Sequence, residues 1–200
     1  MAKDRLIILV LLSTAICLGQ ETADDKAHEG NALYKKGDFA GALKQYEEAK
    51  KLQPNRLAID FNMGDAYYRQ KEYAKAADAH KIASGSENVL LSAESHYNIG
   101  NGRYREGETG KADKTPPGEK APAQEEKADA DRMAKWEQAL NAYKSSIELL
   151  AREENSLDGN AGQALGNARA NYEFVKQKLD QEKQNQQQDQ QQNKSGGGGG

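Results

Sequence analysis

Gly30-Asn31-Ala32-Leu33-Tyr34-Lys35-Lys36-Gly37-Asp38-Phe39-Ala40-Gly41-Ala42-Leu43-Lys44-Gln45-Tyr46 contains a pattern that returns twice along the chain. Gly30-Asn31 is followed by Gly64-Asp65 and Gly100-Asn101, at steps of 34 and 36 residues. Tyr34, Tyr68 and Tyr104 stand at the same offset after each pair. A fixed period of this length marks a repeated supersecondary unit. Ala42, Tyr46 and Ala49 correspond to Ala76, His80 and Ala83, and the third copy keeps the order in Ala139, Tyr143 and Ser146. Spacings of four and seven share one helical face, and small residues there let a second helix approach closely. The unit is therefore expected to be a helical hairpin. Gly37-Asp38 divides its two helices, and Gln53-Pro54-Asn55 ends it because proline cannot continue a helix.

Gly30, Leu33, Tyr34, Gly37, Asp38, Phe39, Ala42, Tyr46, Ala49 and Pro54 resemble the tetratricopeptide (TPR) repeat. Asp60, Met63, Gly64, Tyr67, Tyr68, Tyr73, Ala76 and Ala83 repeat it. The third copy is split. Its first helix runs through Tyr97, Ile99, Gly100 and Tyr104 and stops near Glu108, and its second resumes at Trp136, Ala139, Leu140 and Tyr143. Residues 109–135, rich in Lys, Glu, Ala and Pro, form an insertion, of which Ala128 to Lys135 is expected to join the following helix. Leu165, Ala168, Tyr172, Val175 and Leu179 have helical spacing and suit the capping helix that repeat arrays need for solubility. The expected fold is all-α. It is a TPR helical-hairpin solenoid of about three repeats, near 23–56, 57–92 and 93–151, with a capping helix near 160–180 and a disordered insertion and tail.

Composition agrees with a thin fold. Hydrophobic residues are 36% and charged residues 30%, with a mean hydropathy of -0.96, which is polar for a chain with one deep core. Part of that polarity sits in the Gln-rich and Gly-rich tail 181–200, which cannot bury apolar surface. A net charge of -3 gives no general pull toward nucleic acid or an anionic membrane. At the other end, Lys3 and Arg5 precede the apolar run Leu6 to Leu12. A run this short reads as a signal peptide over residues 1–19 rather than a membrane span of about 20 residues. Cleavage after Gly19 leaves a periplasmic or secreted chain without cysteine, so packing alone must stabilise it. The alternatives are lipid attachment at Cys17 and retention of the segment as a membrane anchor.

The resemblance to TPR domains implies that first helices of successive hairpins line a concave groove. The residues it places there are Asn31, Tyr34 and Lys35, then Asn62, Asp65, Tyr68 and Arg69, then Asn98, Asn101, Tyr104 and Arg105. Tyrosines offer apolar area with few rotamers to freeze, and asparagines hydrogen-bond a peptide backbone. The basic residue beside each tyrosine favours an acidic peptide. The competing reading packs the tyrosines between hairpins and leaves the basic residues solvated. Asn31 and Asn62 match two asparagines of the carboxylate clamp found in some TPR grooves, but Ala27 stands where that clamp has a lysine. His80 is expected to be a half-buried structural histidine, not a metal ligand with His96. Its alanine-rich helix is expected to be the least stable of the array.

Catalysis is not expected. Gly100-Asn101-Gly102 lies within a repeat helix and follows no strand, so it forms no phosphate loop. Glu47-Glu48 and Glu153-Glu154 read as solvated helix faces. No metal, other cofactor, nucleic acid or small-molecule substrate is expected; the partner is a protein or peptide. The repeats, the closing Asn171-Tyr172-Glu173-Phe174-Val175 helix and the Gln-rich tail also resemble TPR proteins of the Bacteroides aerotolerance (BatC/BatE) type. That resemblance implies an envelope scaffold assembling with membrane-anchored von Willebrand A-domain proteins, in aerotolerance or stress response. The alternative is a self-associating assembly factor of the envelope.

Overall fold

A computed structural model describes residues 21–109, 122–152 and 159–195. The expected signal segment 1–19 lies outside them, as do 110–121 of the insertion and the glycine end 196–200. The described residues form seven α-helices and no strand, in two compact units that divide after Arg56. None of these helices is long and apolar enough to cross a membrane.

The first unit is one hairpin, α1 (Ala23–Lys35) and α2 (Phe39–Leu52). Thr22 caps α1 in a reciprocal box: the Asp25 amide donates to Thr22 Oγ1 at 3.2 Å, and the Thr22 amide donates to Asp25 Oδ2 at 3.0 Å. The Thr22 hydrogen bonds hold the Asp25 carboxyl below its ordinary pKa. Gly37 turns the chain at φ 84°, a left-handed conformation that glycine adopts without a Cβ penalty. The Asp38 side chain then caps α2 by accepting from the Gly41 amide at 2.9 Å. Ala42, Leu43, Tyr46 and Ala49 face inward from α2, as the spacing requires.

The second unit holds α3 (Leu57–Arg69), α4 (Tyr73–Ala83), α5 (Val89–Thr109), α6 (Pro122–Arg152) and α7 (Gly159–Ser195). The α3–α4 turn repeats the first hairpin, with Lys71 at φ 65° where Gly37 stood. On α4, Tyr73, Ala76, Ala77, Ala79, His80 and Ala83 are buried. His80 is 1% exposed rather than half-buried, so the helix contributes an aromatic imidazole to the interior along with its alanines.

The split repeat closes through packing. Trp136, Ala139, Tyr143, Val175 and Leu179 form one core, flanked by Tyr97, Tyr104, Met133, Leu140 and Tyr172. Ala93, Leu150, Ala161 and Leu165 form a second. α6 begins at Pro122, fourteen residues before Trp136, so the described part of the expected insertion is helical. Ala, Glu and Lys are good helix formers, and proline is tolerated in a first turn. The Arg132 guanidinium, buried on this extension, pairs with Asp129 and Glu182, while Lys135 reaches Glu106 at 2.8 Å. α7 is longer than the cap expected over 160–180: it runs to Ser195, with Glu182 held by Arg132 and Lys183 by Glu137 at 2.9 Å.

Candidate functional site

The glycines that opened each repeat have a steric task. A Cβ on Gly30 would meet the Tyr46 ring at 2.5 Å, one on Gly64 the His80 ring at 2.6 Å, and one on Gly100 the Tyr143 ring at 2.5 Å. The next residue then meets the polar end of that ring. Tyr46 donates its hydroxyl to Asn31 Oδ1 at 2.8 Å, and Tyr143 donates to Asn101 Oδ1 at 2.8 Å. Burial pushes the Tyr143 phenol well above its ordinary pKa, which keeps it a donor. Asn31 and Asn101, both expected from the sequence to meet a ligand, thus each brace their own hairpin.

Each repeated tyrosine is partly packed. Tyr34 meets Phe39 edge-on at 5.3 Å, Tyr68 meets Tyr73 edge-on at 5.2 Å, and Tyr104 stacks on Trp136 at 6.2 Å. In each case the partner opens the second helix of the hairpin, or, for Trp136, occupies the corresponding register on α6. An array of open rings is therefore not what the chain presents: one side of each ring is spent on its own repeat. Tyr104 is further covered by Phe174, edge-on at 5.7 Å, and by the Lys178 ammonium 5.4 Å from its centroid.

Asn31, Tyr34 and Lys35 lie in the first unit, with Lys35 exposed at the end of α1. The other eight lie in the second unit. Asn62, half-buried, and Arg69, exposed, are on α3. Asp65, Asn98 and Asn101 join in a polar chain: Asn98 Nδ2 donates to Asp65 Oδ1 at 3.2 Å, and Asn101 Nδ2 donates to Asn98 Oδ1 at 3.4 Å. Asn171 of α7 completes it, donating to Asn101 Oδ1 at 3.1 Å and to the Tyr97 hydroxyl at 3.0 Å.

Tyr68, Asn101, Tyr104 and Arg105 come together in a cleft of about 210 Å³, closed by Tyr143, Asn171, Phe174 and Val175. A cation beside Tyr68 is thus Arg105, from the next repeat. The Arg105 guanidinium, itself exposed, lies 5.8 Å from the Tyr73 centroid. Burial raises the Tyr68 phenol above its ordinary pKa, and Arg105 acts against it.

A second cavity of about 250 Å³ is lined by Phe61, Glu94, Tyr97, Asn98, Ser146, Leu150, Ala164 and Asn167. On α5 its residues 94, 97 and 98 continue the stripe 101, 104 and 105, so both openings lie along one helix face. The groove residues expected from the sequence do not include Glu94, Asn167, Asn171 or Phe174. Ala164, Asn167, Asn171, Phe174 and Lys178 recur at helical steps beside the buried stripe of α7, and that spacing was the available signal.

The family description "TPR repeat" matches residues 30–71. The chain is 32% identical over 80 residues to the Hsp70-Hsp90 organising protein of Plasmodium falciparum, a match covering 40% of this chain and 13% of that relative's length. Its fold is similar to the Sgt2 TPR domain from Aspergillus fumigatus, with a TM-score of 0.50 and 19% identity over 78% of this chain and 82% of that one. It is likewise similar to the first TPR domain of human RPAP3, with a TM-score of 0.50 and 17% identity over 80% of this chain and 98% of that one. Residues 30–71 are thus a TPR repeat, and the described helices have the all-α fold of TPR domains.

Proposed function

We propose that this chain is a non-catalytic adaptor that holds an extended segment of a partner protein on the face formed by α3, α5 and α7. The supporting observation is the cleft in which Tyr68 and Arg105 meet Asn101, Tyr104, Asn171 and Phe174. Aromatic walls supply apolar area at low rotamer cost, the amides suit a peptide backbone, and the exposed guanidinium suits a carboxylate. The cleft therefore takes an acidic residue next to an apolar one. By its name the Plasmodium relative organises Hsp70 and Hsp90, which supports a protein-interaction role. Ala27, buried on α1, stands where a carboxylate clamp has a lysine, so that clamp is not part of the proposal.

The finer reading is an exported adaptor of the bacterial envelope that assembles with von Willebrand A-domain membrane partners in aerotolerance or stress response. It rests on Lys3, Arg5 and the run Leu6 to Leu12, and on the resemblance to the Bacteroides aerotolerance type. The test of the cleft is selection of peptides from a random display library on the full chain. Replacing Tyr68→Ala with Arg105→Ala should weaken the selected peptides at least about tenfold, the scale of losing one or two well-placed contacts, with the helical circular dichroism unchanged. Equal binding by that variant would refute the cleft. Export is tested by the mature N-terminus, expected at Gln20.

A further inference from the structure

The second cavity differs from the first in charge. Its walls are the apolar faces of Phe61, Tyr97, Leu150 and Ala164, and its polar atoms belong to Glu94, Asn98, Asn167 and Ser146. Among the described residues, no lysine or arginine lines it. Ser146 is 0% exposed and its Oγ has no hydrogen-bond partner. A buried hydroxyl without a partner is costly, and native structures rarely keep one unless something else satisfies it. Burial raises the Glu94 carboxyl above its ordinary pKa, and the Asp65 charge adds to the effect.

We propose that this cavity seats a lysine side chain of the bound partner segment. The inference rests on the adaptor reading and deepens it by naming what the partner must carry. An acidic side chain would meet Glu94 and, close by, Asp65. A purely apolar one would leave the Ser146 hydroxyl and the Glu94 carboxylate unmatched. Lysine has a four-carbon stem for Phe61, Tyr97 and Leu150, and a compact cation with three donors for the carboxylate, hydroxyl and amide oxygens. Tyr97 lines one cavity and Tyr104 the other, and on α5 they stand a helical stretch of roughly 10 Å apart at 1.5 Å per residue. An extended chain covers that in about three residues. The partner motif is therefore a lysine with an acidic residue about three positions away, so the groove selects by two opposite charges rather than for acidity alone.

The experiment uses the same random-library selection on the full chain and on Glu94→Gln. Peptides selected on the unmodified chain should be enriched in that pair. In the tightest of them, lysine→norleucine should cost about tenfold in affinity, and on Glu94→Gln that loss should shrink to about twofold or less. Norleucine binding as tightly as lysine overturns the lysine seat; so does a lysine effect that survives Glu94→Gln. If in those cases Tyr68→Ala with Arg105→Ala still abolishes binding, the adaptor cleft stands without the lysine seat. If no peptide is selected, or the double variant binds undiminished, both readings fall.

Discussion

His80 Nε2 lies 3.4 Å from the Asp65 carboxylate, at the position where a tyrosine hydroxyl donates to an asparagine in the other two hairpins. The three repeats thus solve one packing problem in two chemistries. A second-helix ring presses on a first-helix glycine, and the residue after the glycine receives the ring's polar atom. The exchange in the second repeat is coupled: Asp replaces Asn where His replaces Tyr. It leaves His80 Nδ1 buried without a hydrogen-bond partner.

Restoring the other chemistry should stabilise the second repeat. His80→Tyr with Asp65→Asn supplies a neutral hydroxyl-amide hydrogen bond worth about 1 kcal/mol and removes the unmatched imidazole nitrogen. The expected rise in Tm is about 2–4 °C for a chain of this size. Thermal circular dichroism measures it. A fall would mean that the His80–Asp65 pair, or the contact of Phe61 on the imidazole at 5.1 Å, matters more than the missing partner.

The glycine side of the same contact gives the opposite sign. Gly100→Ala drives a methyl group into the Tyr143 ring, whose hydroxyl is fixed on Asn101 and which packs beside Tyr97 at 5.8 Å. The ring has nowhere to retreat, so overpacking costs on the order of 2 kcal/mol. Gly162→Ala is the control, because a Cβ there meets nothing within 4 Å and alanine is the better helix former. Denaturant unfolding should show the first destabilised and the second neutral or stabilised.

The repeat period, the hairpins and the buried positions of α2 and α7 were legible because local spacing determines which side chains face inward. The site was only half legible for a related reason. Spacing places Tyr68 on a helix face, but it does not say that the cation beside it comes from Arg105 on the next helix, nor that Trp136, across the insertion, covers Tyr104. Those are contacts between elements far apart in sequence. Glu94 and Asn167 escaped because each reads alone as a solvated polar residue. Only the apolar walls brought by Phe61 and Leu150 turn them into the rim of a cavity.

Lys71 tests how closely the second turn copies the first. It holds φ at 65°, where Gly37 holds 84°. A side chain in the left-handed region costs about 1 kcal/mol or more, and the added unfolded-chain freedom of glycine returns part of that. Lys71→Gly should therefore raise stability by about 0.5–1 kcal/mol. Gly37→Ala should lower it by a similar amount, since no neighbour lies within 4 Å of the new Cβ and only backbone strain acts.

Ser146→Ala separates stability from binding. The hydroxyl is buried without a partner, so its removal should stabilise α6 by about 1 kcal/mol, helped by alanine's helix propensity. If the hydroxyl receives a donor from a bound lysine, the same change weakens lysine-bearing peptides while raising Tm. A variant both less stable and unaltered in binding would show that Ser146 is satisfied within the chain.

The sign of the pH dependence at Glu94 follows from the direction of its shift. Burial, then the Asp65 charge, raises its carboxyl above the ordinary value of 4.5. The folded chain therefore holds that proton more tightly than the unfolded chain. The stability this gives is fully present below the ordinary value and is lost as pH rises through the folded value. At neutral pH, where the unfolded chain's carboxyl is ionised, burying the group costs stability, so Glu94→Gln should raise Tm at pH 7 and leave it nearly unchanged at about pH 3.5, below the ordinary value. A lysine ammonium in the cavity reverses the preference, because it favours the ionised carboxylate. Binding just above the ordinary value should then release a proton, visible as a calorimetric enthalpy that depends on the ionisation heat of the buffer. With Glu94→Gln that buffer dependence should vanish, and its persistence would place the titrating group elsewhere.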